Sequence, residues 1–288
     1  MFRKIIGIAA IFGTATSLAA AERLPEILAQ SGKWEMNYDT DSCHLFRPFG
    51  TGDATVYLKL TRYSPGDGFE VVLYGKRFPA SESYSSVVSD FGSDGTTFES
   101  RALNGNSGNF RSVVVGGRYL VEWDGAANDT PPSITPEQEQ AVSDVTFRIN
   151  RRRPVKLLLG PMGAAMQAMR ACTDSLVKLW GFDPVEQAEL SRRAAPKSSP
   201  GDWLRPNDYP IKAIANGSIG LVHIRLDVAV DGSVSGCHVQ AESSPADFST
   251  VTCRAITRRA TFDPALDKRG KPTPSYYIQS VRWVMGNY

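Results

Sequence analysis

The stretch IGLVHIRLDVAVDGSVSGCHVQA, residues 219–241, alternates in character, turns at one Asp-Gly pair and alternates again. Successive side chains of an extended strand point to opposite faces, which puts Leu221, His223, Arg225 and Asp227 on one side. Val222, Ile224, Leu226, Val228 and Val230 fall on the other. The first run is therefore expected to be a half-buried strand, with Asp231-Gly232 as its turn and SVSGCHVQA as the return. On the return, Cys237 is expected to share its face with Ser235, Val239 and Ala241. Upstream, YPIKAIA (209–215) suits a short helix with Pro210 in its first turn. Downstream, SSPADFSTVTCRAITRRATF (243–262) offers a serine N-cap and a helix with Phe248, Val251, Thr252, Ala255 and Ile256 inward. FDPALDKRGKPTP suits a loop, and SYYIQSVRWVM (275–285) a last strand. The order αββαβ implies a small antiparallel sheet with helices on one face.

The chain before it differs in texture. From Trp34 to Ile149 short β-rich runs alternate with turn residues. ATVYLKLTRY (54–63) and FEVVLYG (69–75) form a hairpin by pattern, with Val56, Leu58 and Leu60 facing the same way as Phe69, Val71 and Leu73. FRSVVV and RYLVEW, separated by Gly116-Gly117, are expected to form a second hairpin, since two glycines suit a tight turn. VTFRI (145–149) and VKLLL (155–159) are further strands, joined at Arg151-Arg152-Arg153-Pro154, a triple arginine expected to be a solvated loop. After Gly160-Pro161 the spacing of Met162, Ala165, Met166, Met169, Cys172, Leu176 and Leu179 describes an amphipathic helix whose methionines fill a core. Residues 184–202 lose that periodicity and gain Pro, Ser and charge, as a linker does, with a helix in its first half as an alternative. The fold class expected is α+β: a signal segment (1–21), a β-rich N-terminal domain closed by a helix (22–183), a linker (184–202) and the αββαβ domain (203–288).

The N-terminus MFRKIIGIAAIFGTATSLAAAE has two basic residues, a short apolar run and a small-residue site. That is the pattern of a cleaved secretory signal, and the run is short for a membrane span. Excision would remove Arg3 and Lys4 and no acid, leaving 30 basic and 30 acidic residues. A balanced charge gives no reason to expect nucleic acid as a partner. Cys43, Cys172, Cys237 and Cys253 all lie in the exported part, where an even count favours disulfides over zinc. Of three connectivities, Cys43 with Cys172 and Cys237 with Cys253 keeps each bridge within one domain.

Tyr209-Pro210, GLVHIRLDVAVDGSV, Ser243-Ser244, Phe262-Asp263-Pro264-Ala265, Gly270-Lys271-Pro272 and the closing VRWVM stand in the order of a known pattern. Over about residues 203–286 the chain resembles the TonB C-terminal domain family. With its cysteine-bearing N-terminal companion, it is similar to TonB-like periplasmic proteins of alphaproteobacterial type. The resemblance implies binding by strand addition, in which a segment of an outer-membrane TonB-dependent receptor lies along the last strand. On this chain that strand carries Tyr277, Gln279, Val281 and Trp283 on one face as the expected partner-binding residues, with Tyr276, Ile278, Ser280 and Arg282 on the other; one of the two sets is core. Another envelope protein or peptidoglycan is an alternative partner, and membrane contact is expected only if the N-terminal segment is retained. Energy-transducing members carry a membrane helix with a histidine and a long Pro-rich spacer. Here the apolar run lacks histidine and the spacer is short, so a soluble periplasmic binder is expected ahead of a membrane-anchored transducer. An enzyme is not expected, and no cofactor. The three histidines, His44, His223 and His238, belong to no metalloprotease motif, and the glycine-flanked serine in GNSGN (105–109) lacks a nucleophile elbow. Any activity would belong to the N-terminal domain.

Overall fold

The computed structural model describes residues 23–78, 83–92, 97–107, 109–121, 133–243 and 247–285. The expected signal segment and Ser244 of the expected N-cap lie outside the described residues. The structure is mixed α+β and dominated by strands. Ten strands form one sheet: β1 (Glu26–Leu28), β2 (Glu35–Tyr38), β3 (Cys43–Phe49), β4 (Val56–Arg62), β5 (Phe69–Gly75), β6 (Tyr84–Asp90), β7 (Phe98–Ser107), β8 (Phe110–Arg118), β9 (Asp144–Ile149) and β10 (Val155–Leu158). Their spatial order is β1-β10-β9-β6-β7-β8-β5-β4-β3-β2. Just past β1, Gln30 bridges to Phe49 at the end of β3. The Ser31 N–H donates to the Pro48 carbonyl (3.0 Å) and the Gly50 N–H to that of Ala29 (2.8 Å), so the sheet curls and closes on itself. Closure removes the open edge that such a long sheet would otherwise present.

The apolar faces of these strands enclose one core, and two helices complete it. α1 (Pro136–Ala141) starts at a capping box on Thr135 and Gln138. α2 (Gly163–Leu179) lays Ala165, Met166, Met169, Cys172 and Leu176 into the core. The same stripe was expected to include Leu179, but Leu179 is exposed and Thr173 and Val177 are buried instead. The Arg170 guanidinium, from α2, grips the buried Glu139 of α1 through both oxygens. Cys172 is bonded to Cys43, tying α2 to β3.

Two stretches differ from their expected form. Gly116-Gly117 is no turn: both residues lie within β8, where Phe69 faces Arg118 and Val71 faces Val115, so the pair forms a bulge against β5, with Gly117 at φ +62°. The partner of β8 is instead β7, running from Leu103 opposite Val114 to Ser107 opposite Phe110. Residues 184–202, expected as a spacer, are stitched to the C-terminal part. They carry α3 (Pro184–Ala188), capped by Asp183, and β11 (Ala195–Pro196), which pairs with β14 (Phe262–Asp263). The Leu266 N–H donates to the Arg192 carbonyl (2.8 Å), and Lys197 N–H to that of Thr261 (2.9 Å).

The C-terminal part holds α4 (Ile211–Ala215), β12 (Gly220–Val228), β13 (Val234–Glu242), α5 (Phe248–Arg259), the short pair β15 (Ala265–Leu266) and β16 (Pro272–Thr273), and β17 (Ser275–Trp283). Its sheet runs β13-β12-β17, antiparallel throughout. Val222, Ile224, Leu226 and Val228 meet Phe248, Val251 and Ile256 of α5 in a second core, with Trp203 and Phe262. Val230, expected on this face, lies beyond β12 and is exposed. The Cys237–Cys253 bond pins α5 to β13. Register with β12 skips Ser235 and Gln240, so of the four residues expected on one face only Cys237 and Val239 share it. Gly232, at φ +83°, closes the turn; a Cβ there would sit 2.0 Å from the Phe262 carbonyl oxygen.

Arg259 ends α5 by holding Asp208 Oδ1 (3.0 Å) and the Trp203 carbonyl (2.9 Å). That hydrogen bond from Arg259 is the chief reason the Asp208 carboxyl sits below its ordinary value. A depressed acid stabilises the fold above its unfolded value and ceases to do so as pH falls through the folded one. Asp208→Asn should therefore lower the melting temperature at neutral pH, and the gap to wild type should close on acidification below about pH 3.9. Replacing each disulfide by a serine pair should cost about 4–5 kcal/mol for Cys43–Cys172, and about 3 kcal/mol for Cys237–Cys253, whose span is shorter. Urea titrations under otherwise equal conditions check the order.

Candidate functional site

β12 was expected to show one face to water, yet nearly every residue of it is buried. The second face lies against the N-terminal sheet. His223 Nε2 meets Glu70 Oε2 of β5 at 3.0 Å, both side chains being less than a tenth exposed. The Tyr63 ring stacks on the imidazole with centroids 4.1 Å apart, and its hydroxyl donates to the other Glu70 oxygen (3.4 Å). Burial pushes the Tyr63 phenol well up, so it stays a neutral donor. On the other side of the ring, His223 Nδ1 lies 2.8 Å from the Ser280 hydroxyl.

Beside this cluster Arg225, 4% exposed, fills the second polar position. Its Nε donates to Asp227 Oδ1 (3.0 Å), its Nη1 reaches Asp41 Oδ1 (3.5 Å), and its guanidinium lies over the Trp180 ring at 4.6 Å. Trp180 Nε1 donates to the same Asp41 oxygen (3.2 Å). Gln240, the residue that bulges out of β13, donates to the carbonyls of Asp41 (3.0 Å) and Tyr63 (2.8 Å). Each charge removed from water here thus has a partner, the condition under which burying it is tolerable.

The carboxylate, imidazole and hydroxyl of Glu70, His223 and Ser280 follow the order of a nucleophilic triad. Ser280, however, stands mid-strand with His223 as its register partner, not on the sharp turn that presents a nucleophile. The chain of hydrogen bonds is a cross-strand pair extended into a neighbouring sheet, linking β12 and β17 to it.

That placement decides what β17 exposes. Val281 (9% exposed) and Trp283 (5%) are in the second core, Tyr277 packs against it, and Trp283 Nε1 donates to Thr252 of α5 at 3.0 Å. The set Tyr277, Gln279, Val281 and Trp283, expected to meet a partner, is thus the core-facing set. The opposite set faces the N-terminal part: Tyr276 meets Trp180 and Phe182, Ser280 meets His223, and Arg282 Nη1 donates to the Arg101 carbonyl (3.2 Å). The start of the strand is covered too, since Gln187 of α3 binds the Pro274 carbonyl (3.1 Å) and the Ser275 hydroxyl (2.7 Å).

Ser280 and Arg282 remain exposed, and beside them lies the main-chain edge. β17 pairs with β12 over nine residues without a break, from Gly220 opposite Trp283 to Val228 opposite Ser275, and among the described residues it has no second strand neighbour. β13, the other edge, is broken by two register shifts. Bulges twist an edge away from further pairing, whereas a long regular edge is a template for it.

The family model of the Gram-negative bacterial TonB protein C-terminal matches residues 205–285. No curated protein and no solved structure matches the chain.

If the Glu70–His223 contact holds the two sheets together, a double-mutant cycle with Glu70→Gln and His223→Gln should give a coupling of about 1–3 kcal/mol in chemical denaturation. A coupling near zero would mean that the sheets meet without its help.

Proposed function

We propose, from the match of residues 205–285 to the TonB C-terminal model, that this chain is a cell-envelope protein acting through protein contacts, and specifically a periplasmic binding protein. It works by strand addition and not by catalysis: an extended segment of an outer-membrane receptor lies along the open edge of β17. The observation that carries the reading is the unbroken register of β17 with a single strand neighbour among the described residues. Affinity then comes from main-chain hydrogen bonds, while Tyr277 and Gln279, which are half-buried, are the flank a partner's alternate side chains can still touch.

The reading also accounts for the neighbouring strand. The bulges of β13 and its disulfide to α5 make that edge irregular and stiff, which directs an incoming strand to β17. The short stitched segment 184–202 argues against a long rod reaching across the envelope, and so against a motor-coupled transducer. Export through a cleaved N-terminal signal completes the proposal.

The test uses a synthetic peptide of a receptor's TonB box and a version N-methylated at alternate residues. The methylated peptide should lose at least about 10-fold in affinity, the equivalent of one or two missing charge-free hydrogen bonds. Equal affinity of the two would rule out main-chain pairing, and capture of the protein by peptidoglycan alone would replace the receptor as partner.

A further inference from the structure

At the turn between β9 and β10, where the chain reads Arg151-Arg152-Arg153-Pro154, a cavity of about 280 Å³ opens into the first core. Its floor is apolar: Phe78, Phe147, Ile149 and Val155, all members of that core. Its rim is cationic, with Arg23, Arg77, Arg152 and Arg153 converging from three separate parts of the chain. We propose that this cavity binds a small amphiphilic anion, with an oxyanion head held by the arginines and a short apolar body in contact with the aromatic floor.

Three observations carry this. The first is charge. Arg77 is paired with Glu26 Oε2 (3.1 Å), but Arg23, Arg152 and Arg153 have no carboxylate partner among the described residues. Like charges gathered at one mouth repel one another, and an anion between them relieves that cost. The guanidinium fork is also the side chain best matched to carboxylate and phosphate. The second is that the rim is built, not merely solvated. Arg152 Nη1 donates to the Arg77 carbonyl (3.0 Å) and Arg153 Nε to that of Leu24 (3.1 Å), so each is anchored by one nitrogen and offers the others. The turn is fixed beneath them: Asn150 sits at φ +50°, Arg152 N–H donates to the Ile149 carbonyl (3.1 Å), and the Pro154 carbonyl accepts from Glu26 N–H (2.8 Å). The third is the floor. Phe147 (1% exposed) and Phe78 (3%) close the bottom of the space, with Ile149 and Val155 beside them, so a ligand's body would rest on a narrow apolar strip. The volume lies near the lower end of the roughly 300–1,000 Å³ range of small-molecule pockets, which suits a compact ligand and excludes a two-chain lipid.

Arg151, Arg152 and Arg153 are exposed, as a solvated loop should be, and the proposed site is independent of strand addition at β17. Titration calorimetry with hexyl phosphate tests it on the full chain, with hexanol and inorganic phosphate as probes of each half. Hexyl phosphate should bind, weaken with added salt, and lose about 10–100-fold in Arg152→Gln/Arg153→Gln, the effect of deleting charge-assisted hydrogen bonds. Arg23→Gln, at a position with no packing role in the core, should weaken it as well, which keeps the test valid if the double variant folds poorly. Affinity for inorganic phosphate equal to that for hexyl phosphate would overturn the amphiphile, leaving a bare anion patch. Undetectable binding of hexyl phosphate at millimolar concentration would overturn the site itself. Sedimentation with phosphatidylglycerol vesicles that hexyl phosphate fails to compete would place the arginines at a membrane surface instead, and so would also overturn it.

Discussion

Strand β12 is buried on both faces, and the rest of the C-terminal architecture follows from that. Its apolar face needs α5, Trp203 and Phe262 above it. Its other face carries His223 and Arg225, which cannot be left dry and unpaired, so Glu70, Asp41 and Asp227 must arrive from fixed positions. Asp227 stands on β12 itself, whereas Glu70 lies on β5 and Asp41 on the turn before β3, and these two link the small sheet to the large one. Once the sheet is sandwiched, most side chains of β17 touch one flank or the other, and the strand retains a regular edge. A partner that reads main chain suits such a surface better than one that reads side chains.

Much of this was legible in the residues. The alternation of 219–232, the Asp-Gly turn, the inward set of α5 and the two disulfides all stand as the pattern suggests. The error over β12 came from treating His223 and Arg225 as solvent-facing because they are polar. A counter-signal existed: FEVVLYG sets Glu70 within an apolar strand, and an acid in such a run asks for a buried partner. For β17 the hint was composition. Tyr277, Val281 and Trp283 form the more apolar set, as a core face should, whereas Ser280 and Arg282 stand opposite.

Other misses have different physical origins. β6 and β7, YSSVVSD and FESRALNGNS, are rich in serine and asparagine and carry little alternation, so their pairing is set by neighbours in a closed sheet rather than by their own pattern. Gly116-Gly117 supplies positive φ for either a turn or a bulge, and only the register with β5 decides between them. Residues 184–202 have a linker's composition, but their carbonyls and amides find partners on 261–267, a long-range pairing that local sequence does not encode.

The claim that the main-chain edge of β17 is the binding site is tested most directly by amide hydrogen exchange on the full chain with and without a TonB-box peptide. The account predicts slowed exchange for outward amides between Tyr277 and Trp283, with those of β13 unchanged. Protection that appeared on β13 or on the N-terminal sheet, with β17 unaffected, would contradict it.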